Sequence, residues 1–251
     1  MFERSELCRS PLLGAQAGLF HGFYGMPEPP MDGAASPEYF DQQIKMIAQQ
    51  LSIAPNRMIG VTQLHSAKVR MVAASWGKAE AEADALVTDQ PELALVIKTA
   101  DCAPVLLVDP QAGVVGAAHA GWRGALAGIL EQTVMHMTFL GAQRERIVAA
   151  IGPCIAPVHY EVGTEFQDGF IDASEQFARF FTQDEGEKPH FDLGSFCQEQ
   201  LSASGIFASE LLPIDTFDEK NRFFSYRRAR GQHESGYGRN ISVICLPKHN
   251  I

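Results

Sequence analysis

Residues 99–124 read TADCAPVLLVDPQAGVVGAAHAGWRG, and the two apolar runs inside this stretch, 105–108 and 114–118, decide the fold class. Both are short, largely apolar and bounded by turn-forming residues, the pattern of strands buried on both faces. The same pattern recurs at 59–61, 85–88, 94–97, 147–151 and 241–246. Segments of helical period alternate with these runs. Ser36 followed by Pro37 reads as an N-cap and first helical position, with Tyr39, Ile44, Ile47 and Leu51 near one face, so a helix is predicted over 37–50. Leu126, Ile129, Leu130, Val134 and Met137 form a helical stripe after Trp122, and 192–204 predicts a further helix closed by Gly205. With no internal repeat, low-complexity tract or linker, this mixture predicts one domain over 1–251. Its class is α+β, an α/β sandwich with a mixed β-sheet core and flanking helices.

The residues that carry chemistry sit at the ends of these strands. Cys102 and His119 are seventeen residues apart, and His65, in VTQLHS, lies thirty-seven residues upstream of the cysteine. A thiolate and two imidazoles are ligands that zinc accepts, and three protein ligands leave a tetrahedral ion one open position. Taken singly, a cysteine in an apolar segment is most often a small buried hydrophobe. Cys102, however, follows Asp101, and a carboxylate beside a buried thiol is costly unless the segment end faces a cleft or a cation. His119 stands in AHAGWRG, where Gly121 and Gly124 permit a tight turn and close approach of backbone to a ligand. Spacing alone selects Cys102 and His119 and leaves His65 out. Cys154, after Gly-Pro in IGPCI, reads chiefly as a space-filling thiol.

Composition narrows the class of partner. The chain has 251 residues, enough to bury a large core, and a formal net charge of -10. That charge argues against nucleic acid or an anionic membrane, either of which calls for a basic face, and points to small-molecule chemistry. The five cysteines, Cys8, Cys102, Cys154, Cys197 and Cys245, are odd in number, widely spaced and free of CxxC pairs, which predicts a reducing, cytoplasmic setting and not a disulfide framework. The first fourteen residues, MFERSELCRSPLLG, carry acidic groups and no apolar core of signal-peptide length. No stretch approaches the roughly 18 apolar residues of a membrane-spanning helix.

A set of short motifs in fixed order adds a resemblance. QLH (63–65), ADALVT (83–88), TADCAP (99–104), HAGWRG (119–124), IGPCI (151–155), YEVG (160–163), FFSYRR (223–228) and GRN (238–240) resemble the signatures of the laccase-domain family. That family is also called the polyphenol oxidase or purine nucleoside phosphorylase family and includes a peptidoglycan editing factor. The likeness runs from about His21 to Leu246, and TADC followed by HAGWRG is its most specific part. It implies that His65, Cys102 and His119 together bind one zinc ion. It also implies an α-β sandwich compared with the catalytic domain of cytotoxic necrotizing toxins, where a cysteine and a histidine act as a hydrolase pair.

The activity implied is phosphorolysis of adenosine, inosine and methylthioadenosine to base and ribose 1-phosphate, together with deamination of adenosine. For deamination, zinc lowers the pKa of bound water for attack on the ring carbon that bears the amine. Phosphorolysis needs an anion pocket, for which Arg123, Arg227, Arg228 and Arg239 are candidates because guanidinium makes planar, bidentate contact with phosphate. Asp101 is the candidate for proton transfer or for supporting a ligand, and Trp122 and Tyr160 are rings able to stack on a purine, though such aromatics are more often core. Other readings are a zinc amidase that edits cell-wall precursors, a copper polyphenol oxidase and a non-catalytic zinc-binding module. His2Cys is also a blue-copper set, but a multicopper enzyme needs several more clustered imidazoles and the remaining histidines are scattered. Structural zinc sites usually have four ligands with short paired spacings, unlike these three. Two segments depart from the family pattern. Residues 25–36 lack the usual arginine and paired glycines, and Asp215-Thr216 replaces a cysteine-threonine pair.

Overall fold

Strands that are apolar on both faces need cover on both, and the chain provides it by stacking two sheets between helices. The structure is a computed structural model that describes residues 4–28, 36–74, 81–233 and 236–248. The chain enters through β1 (Arg4–Cys8), the single-turn helix α1 (Pro11–Gly14), β2 (Phe20–Glu28) and α2 (Pro37–Gln50). Short strands β3 (Met58–Ile59) and β4 (Val69–Met71) lead to β5 (Ala85–Thr88), β6 (Ala94–Thr99), β7 (Ala103–Asp109) and β8 (Val114–Ala120). Then come α3 (Trp122–Leu126), α4 (Ile129–Phe139), β9 (Val148–Ile151) and α5 (Thr164–Ala173). A small ribbon of β10 (Phe181–Thr182) and β11 (His190–Phe191) precedes α6 (Leu193–Ala203), β12 (Ala208–Leu211), α7 (Tyr226–Gly231) and β13 (Asn240–Cys245).

One sheet has the order β1-β2-β13-β6-β3 and the other β12-β9-β7-β8-β5-β4. Both are mixed: β3 runs parallel to β6, β12 to β9 and β4 to β5, while the central pairs are antiparallel. Side-chain alternation assigns the layers. Leu95 and Ile97 of β6 and Ile244 of β13 meet Leu106, Val108, Val115 and Ala117 between the sheets. The opposite faces of β6 and β13, Ala94, Val96, Ile241 and Val243, pack with Ile47 of α2. Val105, Leu107, Val114 and Ala118 pack against Ile129, Val134 and Met137 of α4 and Phe196 and Leu201 of α6. Each of the buried Val, Leu, Ile, Met and Phe side chains contributes about 1.5–3 kcal/mol of transfer free energy, so the four-layer stack supplies the main driving force for the arrangement.

The predicted α+β class with a mixed β-sheet core and flanking helices is observed, with two mixed sheets in place of the one expected, and the helix over 37–50 has the predicted ends, capped by Ser36 accepting from the Tyr39 N–H. The helix predicted over 192–204 is α6, with Asp192 as its N-cap accepting from Ser195 N–H and Gly205 closing it at φ +75°. The helical stripe after Trp122 is broken into α3 and α4 because Gly128 adopts φ +87°, the left-handed region open to glycine. The strand predicted at 59–61 stops at Ile59, although Val61 is fully buried beyond it. Strand β2 was not predicted, since Gly22, Gly25 and Pro27 interrupt its apolar run. Of the divergent stretch 25–36, residues 29–35 lie outside the described residues. Among the described residues no helix is long and apolar enough to cross a membrane.

Candidate metal centre and its cleft

The two sheets exchange the chain at one end of the sandwich, and the predicted ligands converge there. β6 belongs to one sheet and β7 to the other, so Cys102 sits in the crossing between them; His119 is on β8, opposite Pro104 of β7. His65 arrives on the loop that follows β3, with φ +59°, and Asp101 turns the chain into Cys102 at φ +83°. Non-glycine residues at positive φ are uncommon, and here two flank one site. One ligand atom each of His65, Cys102 and His119 lies within 4.8 Å of the others. Cys102 Sγ is 3.9 Å from His65 Nε2, and the two imidazoles meet edge to face with centroids 4.7 Å apart.

A buried carboxylate that the sequence did not single out organises this group. Asp84, fully buried just before β5, accepts hydrogen bonds from the backbone N–H of Leu64, His65 and Ser66 and from the Ser66 hydroxyl. Its Oδ1 also accepts a hydrogen bond from His119 Nδ1–H at 2.9 Å. Burial disfavours the charge on Asp84, but the bonds from His119 and Ser66 outweigh it and hold the carboxyl well below the usual carboxylate range. With Nδ1 committed, His119 presents Nε2 toward Cys102. Burial opposes the charged forms here too. Pairing nevertheless wins: the imidazoles pull the Cys102 thiol below its ordinary range, and Asp84 with Cys102 raises His119.

The space around the three donors fits an ion. A Cβ placed on Gly121 would lie 2.8 Å from His65 Cδ2, 3.0 Å from Cys102 Sγ and 3.6 Å from His119 Nε2, so the residue leaves open the volume in which the donors converge. A Cβ on Gly124 would meet the Ser66 carbonyl oxygen at 2.9 Å, which is how α3 packs onto the His65 loop. Both glycines serve close approach and not a tight turn, for they lie at the start of α3. A thiolate, two imidazoles and a carboxylate fixing one ring's tautomer form a donor set suited to a transition-metal ion with a position left open. The group opens on a cleft of about 490 Å³ also lined by Gln63, Lys98, Thr99, Tyr226, Tyr237 and Arg239.

The other sequence candidates are placed differently. Asp101 does not line the cleft: its carboxylate accepts from the Thr216 hydroxyl at 2.8 Å and from Arg227 N–H at 2.6 Å. The Arg227 guanidinium donates to the carbonyls of His159 and Glu161, and that of Arg228 to those of Thr216, Phe217 and Phe223, so neither reaches the cleft. Arg123 is exposed and lies 4.2 Å over the Trp122 ring, again outside the lining. Trp122 and Tyr160 pack against Phe166 in the phenylalanine-rich core under α5. Cys154 is buried and its thiol is pushed up to about 12 by burial, as expected of a packing residue. Asp215 pairs with His159 at 2.5 Å, and Thr216 supports Asp101.

Residues 32–247 match the family described as multi-copper polyphenol oxidoreductase laccase. The chain belongs to this laccase-domain family. A purine nucleoside phosphorylase of Deinococcus radiodurans is 39% identical over 204 residues, which cover 80% of this chain and 75% of that protein. Another from Haemophilus influenzae is 35% identical over 192 residues, covering 76% and 75%. Among solved structures, the Neisseria meningitidis protein NMB0706 superposes with a TM-score of 0.82 at 27% identity, covering 98% of this chain and 100% of that one. The Bacillus licheniformis hypothetical protein YfiH gives 0.80 at 28% identity, covering 94% and 95%. In this laccase-domain chain, the motifs QLH, TADC and HAGW carry the three candidate ligands, the last of them at the end of β8, and ADALVT carries Asp84.

Proposed function

We propose that this chain is a zinc-dependent purine nucleoside enzyme that cleaves adenosine, inosine and methylthioadenosine with phosphate and also deaminates adenosine. The observation that carries this reading is the convergence of His65, Cys102 and His119 on a cleft of about 490 Å³, within the several-hundred-Å³ range of small-molecule sites. Relatives named purine nucleoside phosphorylase, matched over three-quarters of their own length, support the choice of substrate. His65, Cys102 and His119 would hold the ion, which when bound supplies a Lewis acid with one open position.

The chain's own residues prepare that position. Asp84 fixes the tautomer of His119 and, through three successive N–H groups, the loop that delivers His65. Asp101 acts by positioning: its carboxylate ties the Cys102 turn to Thr216 and to the first turn of α7, so we assign proton transfer elsewhere. Tyr226, on the cleft wall, offers an aromatic ring for stacking on a purine.

The test is to incubate protein of known metal content with adenosine and phosphate and to follow adenine, inosine and hypoxanthine by chromatography, beside a Cys102→Ala variant. Adenine with ribose 1-phosphate, close to one zinc per chain, and loss of both in the variant are expected. Zinc-loaded protein that leaves every nucleoside untouched would overturn the assignment, and cell-wall precursor amides become the substrates to try.

A further inference from the structure

The cleft beside the ligand group has a charge opposite to that of the molecule. In a chain of net charge -10, its described lining carries two cations, Lys98 and Arg239, and no carboxylate. Both residues also line the adjoining groove of about 570 Å³, which places them at the rim where cleft and groove meet. Among the described residues neither forms an ion pair.

Each cation is also held in place. Gln63 clamps the Lys98 backbone from both sides, its Oε1 accepting from Lys98 N–H at 2.9 Å and its Nε2 donating to Lys98 O at 2.7 Å. The Lys98 ammonium lies 5.3 Å over the Phe40 ring. The Arg239 guanidinium lies 4.0 Å over the Tyr237 ring and donates to its hydroxyl at 2.9 Å and to the Gly238 carbonyl at 3.3 Å. Two ordered cations without acidic partners at one rim make a concentration of positive potential and donors, the arrangement that captures an oxyanion.

We infer that Lys98 and Arg239 form a phosphate subsite at the mouth of the metal cleft. The inference rests on the phosphorolysis reading above for its role there. A phosphate oxygen forms a bond to ribose C1′ as the C1′–N9 bond breaks; the bonding pair leaves with N9, and one phosphate proton ends on the purine. Phosphate presented at this rim comes either as free orthophosphate or as the 5′-phosphate of a nucleotide.

The experiment measures binding apart from turnover. Orthophosphate alone, and separately adenosine 5′-monophosphate, is titrated calorimetrically into the full-length protein and into Lys98→Met, Arg239→Gln and Arg123→Gln, each checked for an unchanged melting temperature. The phosphate KM is measured in parallel. Loss of one charge-assisted contact is expected to weaken orthophosphate about tenfold or more in Lys98→Met and in Arg239→Gln, with a matching rise in the phosphate KM. Weakening confined to the nucleotide arm identifies a nucleotide-borne phosphate as the occupant. Variants that lose phosphate binding while the wild type yields no ribose 1-phosphate support the subsite and overturn the phosphorolysis reading. Phosphorolysis with an unchanged phosphate KM in both variants, or loss of binding in Arg123→Gln alone, overturns the subsite and leaves that reading standing.

Discussion

Asp84 and Asp109 are both fully buried carboxylates at the two ends of the β7–β8 region, and both solve burial in the same way. Asp84 collects three backbone N–H groups, a hydroxyl and His119. Asp109 collects the N–H groups of Gln111, Ala112 and Gln143 and the guanidinium of Arg146. In both, hydrogen bonds overcome burial and hold the carboxyl below its ordinary range. The difference lies in the partner. Arg146 ends its chain of contacts at Asp109 and Gln111, whereas His119 has a second nitrogen that reaches Cys102 and His65. A perturbed buried acid is therefore no marker of function here; a partner with a free ligand atom is.

The comparison breaks most sharply if ligands are removed. His119→Ala is expected to drop bound zinc from near one per chain to near none, with affinity lowered by well over about 100-fold, beyond the effect of a residue that only supports a ligand. Metal analysis after dialysis against a weak chelator reads this directly. Asp84→Asn should cost about 10–100-fold in zinc affinity, because the amide no longer fixes the His119 tautomer. Asp109→Asn, with the same buried environment, should leave zinc content and affinity alone. Equal zinc loss in the two Asn variants would mean that both ends of the sheet merely stabilise the fold.

Gly121→Ala sharpens the same contrast from the backbone side. The added methyl group would sit 2.8 Å from His65 Cδ2 and 3.0 Å from Cys102 Sγ, so these ligands must move. His65 is exposed and can swing away, which keeps the cost to folding below that of a clash with backbone. Zinc affinity, which needs all three donors at once, should fall about tenfold or more, toward the range for lost supporting contacts. A variant with unchanged zinc affinity would show that the cradle is wider than the Cβ geometry implies.

How much of this was legible in the sequence follows from the same physics. Strands such as 105–108 and 114–118 could be read because burial on both faces leaves a continuous apolar run, and the sandwich follows from it. The split of α3 from α4 turns on one glycine, Gly128, whose left-handed φ no periodicity reveals. Cys102 and His119 stood out through their neighbours, while His65, on a loop of its own, needed the family resemblance. Asp84 was missed although it had a signal: a carboxylate heading the largely apolar run 85–88 is too costly to bury without donors. Of the four candidate arginines Arg239 lines the cleft, whereas Arg227 and Arg228 lie away from it for the converse reason. Arg227 and Arg228 looked like phosphate ligands by type, but their donors go to main-chain carbonyls that no sequence pattern exposes. Lys98, just beyond the predicted strand 94–97, was not singled out, because its position at the cleft rim depends on how two sheets meet.

The smallest effect separates the two carboxylates through pH. Replacing Asp109 by Asn leaves three backbone N–H groups and a half-exposed Arg146 with a weaker acceptor, a loss of about 1–3 kcal/mol at neutral pH. Because the folded carboxyl is held below its unfolded value of about 3.9, its contribution is complete above that pH and is lost as pH falls through the folded value. Wild type and Asp109→Asn should thus differ in urea unfolding at pH 7 and converge on acidification below about pH 4, with zinc absent from both samples. A constant offset down to strong acid would show that the loss is geometric and not ionic. The metal-free Asp84→Asn variant should converge over the same acid window, since its charge is anchored in the same way. Only with zinc restored should the two ends part, as the ion binds the folded state alone and adds a stability that Asp84 helps to set.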